Sequence, residues 1–358
     1  MPSGEFSTLV FNEGPAFGIA ENIDFRNTIR FDFATVNMSV FLFASGGTRQ
    51  DLINATGNVA AHELGHILGL RHQDSFGPIG AGVVSADYAA ALSPEYPGPT
   101  NAMTETLDHI MGTLAFGPLS ILDEPNWFSE RSGIKLTLAE EQIETVTEGS
   151  GNDSISTAQS VELTELIVPN TIEEGSNAGK GDFCASVAVV EGSVNDATDR
   201  FDVFEIHGKT GDILNLQVIS VGTVNIDNTI DPLVFVRDST GALLDYYDSP
   251  AFNDNEVEGA DSQMFDLILS DDGPVFVTVG LSGPQFDSSG DYELFIYRFD
   301  GIFLLGDVNF DEAINFFDIA PFIDVLQSGK FRKVADINQD GFVNFFDIAP
   351  FIDLLQAQ

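Results

Sequence analysis

Apolar and polar residues follow three different textures along this chain, and each texture predicts its own kind of element. Near the start, Ser7 to Phe11, Phe17 to Ile23 and Phe31 to Phe43 are rich in β-branched and aromatic residues and read as strands. Asn58 to Leu70 reads as a helix, with Thr56 or Asn58 placed to cap it. Ser75 to Pro99 is rich in Gly, Ala and Pro and reads as loop. Ser129 to Thr145 is helical again, because Ile134, Leu138 and Ile143 fall on one face with acidic residues between them.

Thr147 to Asn152 reads as a linker, and beyond it the period changes. Leu214, Leu216 and Val218 alternate with Asn215 and Gln217, and Val275, Val277 and Val279 form a second such run. Tyr292, Leu294 and Ile296 form a third, with turn clusters at Asp238 to Gly241 and Asp271 to Gly273. Short alternating strands up to Phe299 argue a β-sandwich.

The third texture is an internal repeat. Gly306-Asp307-Val308-Asn309-Phe310-Asp311 through Asp324 returns as Ala335-Asp336-Ile337-Asn338-Gln339-Asp340 through Asp353. Each copy sets oxygen side chains at positions 1, 3, 5, 9 and 12 of a calcium loop. These are Asp307, Asn309, Asp311, Asn315 and Asp318, then Asp336, Asn338, Asp340, Asn344 and Asp347. The carbonyls of Ala313 and Phe342 stand at position 7, and helices follow over Phe316 to Leu326 and Phe345 to Leu355. Glu312 replaces the glycine usual at position 6 in the first loop, which weakens that site, whereas Gly341 keeps it in the second.

Composition narrows the picture. The 358 residues carry 14 Lys+Arg against 56 Asp+Glu, a formal charge of −42. Such a chain repels nucleic acid and anionic membranes and attracts divalent cations. With 43% hydrophobic residues, 31 of them Phe, it folds around cores rather than staying disordered. One cysteine, Cys184, excludes an intramolecular disulfide. No apolar run is long enough for a membrane span. No signal peptide is visible in Met1 to Phe6.

The chemistry is concentrated in His62-Glu63-Leu64-Gly65-His66-Ile67-Leu68-Gly69-Leu70-Arg71-His72. Residues four apart share a helix face, so His62 and His66 present two imidazoles to one ion. Gly69 lets the helix stop and the chain turn back, bringing His72 as third ligand. Three protein ligands leave a position for water, and Glu63 stands beside the ion as general base for that water. Three of the five histidines fall in this motif.

The extended motif resembles the metzincin clan of zinc endopeptidases. The resemblance implies a methionine on a turn beneath the ion. Asp108-His109-Ile110-Met111-Gly112 supplies it at Met111, with Met103 the weaker alternative. Position 113 is Thr, so no tyrosine ligand follows, and Gln73 leaves the subfamily open, matrixin-like being favoured. The middle region resembles the pre-peptidase C-terminal domain through Asp202-Val203-Phe204, Gly211-Asp212, Asp231-Pro232-Leu233 and Gly290 to Leu294. That implies an accessory module for surface or substrate binding. The tail resembles a type I dockerin domain. Phe316-Phe317 and Phe345-Phe346 at its partner-reading positions favour a partner other than a cellulosome cohesin, or a cell-surface retention role.

The expected fold class is multidomain. An α/β metzincin-type domain over residues 1–148 lacks its opening strand and helix and reads as N-terminally truncated. A β-sandwich follows over 152–299, then a small all-α dockerin-like pair of loop-helix units over 302–358. The expected function is a secreted zinc endopeptidase that cleaves protein or peptide substrates, with zinc and calcium as cofactors. The competing expectation is a calcium-dependent extracellular adhesion or scaffold protein with a vestigial protease domain. A third is a zinc-stabilised fold without catalysis.

Overall fold

The computed structural model describes residues 8–11, 18–21, 23, 25, 32–37, 48–80, 105–112, 126–169, 183–195, 200–220, 230–246, 249–253, 261–282, 289–299, 305–308, 313–328, 335, 337–338 and 343–357. Strands β1 (Thr8–Phe11), β2 (Gly18–Ala20) and β3 (Phe33–Val36) form a sheet in the order β1-β3-β2. The β1–β3 pairing is parallel and β2 runs antiparallel along the other side of β3.

Helix α1 (Arg49–Ile67) lies on this sheet. Ala55 and Val59 pack with Val36, and Ile67 packs with Ala20 and Ala34. The helix starts well before Asn58, because Thr48 and Asp51 form a capping box that satisfies two otherwise unpaired amides. Neither expected cap serves as one. Thr56 donates its hydroxyl to the Leu52 carbonyl inside the helix, and the Asn58 side chain accepts from the Asn126 amide.

The end of α1 is where glycine matters. The Gly69 amide donates to the His66 carbonyl and the Leu70 amide to the Gly65 carbonyl, the paired bonds of a Schellman turn. Gly69 has φ +88, and a Cβ there would lie 2.5 Å from the Phe25 backbone. Conformation and space both exclude a side chain.

The second helix, α2 (Glu130–Glu141), is capped by Ser129 and ends at Gln142, whose left-handed conformation (φ 52) stops it short of Thr145. The segment expected as a linker is stitched down instead. Val146–Thr147 forms β4, parallel to Val190 and Glu191, and the Asn152 carbonyl accepts from the Val203 amide.

The sandwich continues with β5 (Gln159–Ser160), β6 (Thr164–Val168), β7 (Phe183–Asn195), β8 (Phe201–Gly208), β9 (Ile213–Ser220) and β10 (Pro232–Arg237). The short β11 (Asp245–Tyr246), β12 (Ser249–Pro250) and β13 (Phe252–Asn253) precede β14 (Ser262–Ile268), β15 (Gly273–Leu281) and β16 (Ser289–Phe299). One sheet has the order β13-β10-β15-β8-β5, the other β14-β9-β16-β7-β4, with β6 also paired to β7. Leu214, Leu216, Val218, Leu294 and Ile296 meet Val234, Val236, Val277 and Val279 between the sheets. The opposite face of the second sheet is buried too. There Val187, Val189, Phe295 and Tyr297 pack against Ile134 and Leu138 of α2 and against Ile79. A strand buried on both faces can be apolar without alternation, as β16 is over Leu294–Tyr297.

In the tail, 3₁₀ turns at Phe316–Asp318 and Phe345–Asp347 lead into α3 (Ile319–Ser328) and α4 (Ile348–Gln356). The two copies share their geometry: Asn315 has φ −152 and ψ −168, Asn344 φ −151 and ψ −169. Phe322 stacks on Phe351 with ring centroids 4.2 Å apart, joining the copies through one small core. Among the described residues no helix is long and apolar enough to cross a membrane.

Gly69→Ala is expected to lower the unfolding free energy by at least the ~1–2 kcal/mol that a left-handed non-glycine residue costs. Gly57→Ala, where nothing lies within 4 Å of a new Cβ, is expected to stabilise α1 by up to about 1 kcal/mol. Denaturant melts of the two variants followed by circular dichroism check the contrast.

Candidate metal centre

Helix periodicity and the Schellman turn together bring three imidazoles to one point. His62 Nε2 lies 3.1 Å from His66 Nε2 and 3.1 Å from His72 Nε2, and the donor atoms of all three lie within 4.8 Å of one another. The far ring nitrogens settle the tautomers. His62 Nδ1 donates to the Ile110 carbonyl at 2.7 Å, and His66 Nδ1 donates to the Leu70 carbonyl at 2.8 Å. A carbonyl only accepts, so each Nδ1 carries the proton and each Nε2 presents a bare lone pair. Two converging lone pairs repel unless a cation lies between them.

Burial reinforces this. It lowers the pKa of all three imidazoles, to about 3 at His66, where His62 adds repulsion, and well below the usual range at His72. Neutral imidazoles with an anchored second nitrogen are the donor set zinc takes. Tetrahedral nitrogens about 2.0–2.1 Å from zinc stand about 3.3–3.4 Å apart, close to the spacing of these pairs. The residues fit the ion.

Glu63 is buried beside the strand β2. Its carboxylate accepts from the Ala20 amide, and burial outweighs that bond to raise its pKa to about 7. A Cβ on Gly18 would lie 2.3 Å from Glu63 Oε1, so the bare backbone of β2 leaves the carboxylate its room.

Met111 is fully buried in a turn closed by the Gly112 amide on the His109 carbonyl. A Cβ on Gly65 would lie 2.5 Å from its sulfur, so Met111 packs under α1 between the turns that carry His62 and His66. The same turn supplies the Ile110 carbonyl that orients His62, and the Ile110 amide is held by the Trp127 carbonyl.

His72 sits on a loop held by residues that the sequence pattern does not single out. Asp74 Oδ2 accepts from the Arg71 amide and from Lys135 Nζ, each at 2.8 Å, while Asp74 Oδ1 accepts from Gln217 Nε2 at 2.9 Å. Arg71 Nη1 meets Asp261 Oδ2 at 2.6 Å. Further along the loop, Arg131 donates to the Phe76 carbonyl, to Asn215 Oδ1 and to Asp266 Oδ1, and the Gly80 amide also donates to Asp266 Oδ1. Burial lowers the Lys135 pKa against the pull of Asp74, and raises that of Asp261 against Arg71. Asp266 has φ 60 at an irregularity between Met264 and Leu267 in β14, which turns its carboxylate toward Arg131.

The calcium-loop residues divide. Asp307, Asp318 and Asp347 are buried. Asp318 accepts from the Val308 and Asn315 amides at 2.7 Å, and Asp347 from the Asn338 and Asn344 amides at 3.0 and 2.8 Å. Asn315 and Asn344 each cap their 3₁₀ turn at 2.8 Å, and the Ala313 carbonyl accepts from Asn315. Asn309, Asp311, Asp336, Asp340 and Phe342 lie outside the described residues. Phe316, Phe317, Phe345 and Phe346 are exposed, each by 73% or more.

A search of curated proteins gives no match to the chain. Among solved structures the chain is similar to the pre-peptidase C-terminal domain of collagenase from Bacillus anthracis, at 15% identity and TM-score 0.23, over 30% of this chain and 87% of that one. It is also similar to PliG of Aeromonas hydrophila, a periplasmic inhibitor of g-type lysozyme, at 14% identity and TM-score 0.22, over 32% of this chain and 86% of that one. PliG of Salmonella Typhimurium aligns at 11% identity and TM-score 0.18, over 32% of this chain and 91% of that one. The model of the dockerin type I domain matches residues 305–355, the stretch that holds the paired loop-helix repeat.

Proposed function

We propose that the chain is a secreted zinc-dependent endopeptidase of metzincin type, carrying a calcium-binding dockerin-like tail. One observation carries the reading: three imidazoles converge, those of His62 and His66 with their proton-bearing nitrogens tied to carbonyls, next to a buried glutamate. His62, His66 and His72 would hold zinc, which when bound would supply Lewis acidity toward a carbonyl and a more acidic water. Glu63 would take a proton from the water as its oxygen adds to the peptide carbonyl carbon, and would give that proton to the amine nitrogen as the C–N bond breaks. Burial raises the Glu63 pKa, the direction that suits a carboxyl that both takes and gives a proton. Among the described residues β2 pairs only with β3, so an extended peptide can lie along its other edge, beside Glu63. Met111 and Gly65 keep the floor of the site apolar and tightly packed.

The tail reading rests on the family match over residues 305–355. Asp307, Asp318 and their counterparts hold calcium in this reading, and the exposed phenylalanine pairs face a cohesin-like or cell-surface partner. The same match favours a second reading, a calcium-dependent extracellular scaffold protein whose zinc site no longer cleaves.

Purified chain is expected to hold about one zinc, and to cleave an unfolded protein substrate in a chelator-sensitive way. Glu63→Ala is expected to keep the zinc and lose cleavage by about 10²-fold or more. Zinc without cleavage in the wild type supports the scaffold reading, and absence of zinc removes the endopeptidase reading. For the tail, calcium is expected to protect residues after Phe299 from limited proteolysis, and Asp307→Ala with Asp336→Ala to abolish that protection.

A further inference from the structure

The loop after α1 holds only a short 3₁₀ turn (His72–Ser75), yet five buried charges and the partly exposed Arg71 are gathered around it. Arg71, Arg131 and Lys135 are matched by Asp261, Asp266 and Asp74. Asp261 and Asp266 flank or interrupt β14, and Gln217 lies on β9, so part of this network belongs to the sandwich. A chain with only 14 cationic side chains places three of them here. Apolar packing would join two layers at lower desolvation cost, so buried charges are informative for what they fix: direction and register.

The fixed element is His72. Its neighbour Arg71 is held by Asp261, and Asp74, two residues on, is held by Gln217 and Lys135. We propose that the β-sandwich is part of the metal centre. Asp261, acting through Arg71, and Gln217, acting through Asp74, are positioning residues that set where His72 presents its nitrogen. This inference rests on the metal-centre reading of the three histidines. It makes the sandwich a requirement for ion binding and not an appended module. Outer partners of metal ligands commonly govern affinity through such orientation.

The test is cobalt(II) titration of the full chain, read by the visible absorption of the bound ion, with folding checked by circular dichroism. Asp261→Asn and Gln217→Leu are expected to weaken cobalt binding by about 10- to 100-fold and to alter the absorption band. Asp212→Asn, which removes the Arg298 pairing elsewhere in the sandwich, is expected to lower the melting temperature and leave band and affinity unchanged. If Asp261→Asn does not fold, Gln217→Leu decides the matter, since it removes one neutral donor. Wild-type affinity and spectrum in a folded variant overturn the inference alone. A wild-type chain with no cobalt band overturns the metal-centre reading along with it.

Discussion

The carboxylate of Asp74 is the joint on which the rest of the site depends. It has no exposed surface, so its charge must be met by donors inside the protein. The donors are the Arg71 amide on its own loop, Lys135 on α2 and Gln217 on β9. Its backbone carbonyl also accepts from the hydroxyls of Ser129 and Ser132. These groups come from widely separated parts of the chain, so satisfying one buried charge fixes loop, helix and sheet together. Breaking one partner of such a pair costs about 3–5 kcal/mol. That is a large share of the ~5–15 kcal/mol by which a typical domain is stable. The short 3₁₀ turn His72–Ser75 is thereby tied to both helix and sheet.

Much of the histidine cluster is legible in the sequence because it is local. His62, Glu63 and His66 share a helix turn, and Gly69 reverses the chain through a conformation that only glycine adopts easily. Met111 is legible only through resemblance, since its contact with Gly65 crosses a long stretch of chain. The start of α1 is misread for a physical reason. Thr56 and Asn58 have the right chemistry for caps, but a helix begins where a reciprocal pair of bonds is available, and Thr48 with Asp51 forms that pair upstream.

The positioning residues are illegible for the opposite reason. Asn215 and Gln217 alternate with Leu214, Leu216 and Val218, a pattern that usually marks a sheet with one wet face. Here α2 and the loop after α1 cover that face, so the polar residues are buried and become hydrogen-bonding partners. Period-two alternation tells which residues share a side of a strand. It does not tell what lies against that side. Arg71, Arg131 and Lys135 are single charges in an otherwise acidic chain, and nothing local separates them from surface residues.

The tail and the histidine cluster also differ in how they can select an ion. The whole chain carries a formal charge of −42, so any divalent cation is drawn toward it. The loop-helix repeat offers carboxylates and carbonyls, hard oxygen donors that suit calcium. The histidine cluster offers neutral nitrogens, kept neutral by burial and, at His62 and His66, kept in one tautomer by the Ile110 and Leu70 carbonyls. Charge therefore cannot be what distinguishes the two sets, and donor type can: nitrogen ligands favour zinc over calcium even where calcium is abundant. The hydrogen bonds on the far side of the imidazoles are then as much a part of selectivity as the nitrogens that face the ion. Without them each ring could turn over or take the other tautomer, and the site would lose its convergent lone pairs.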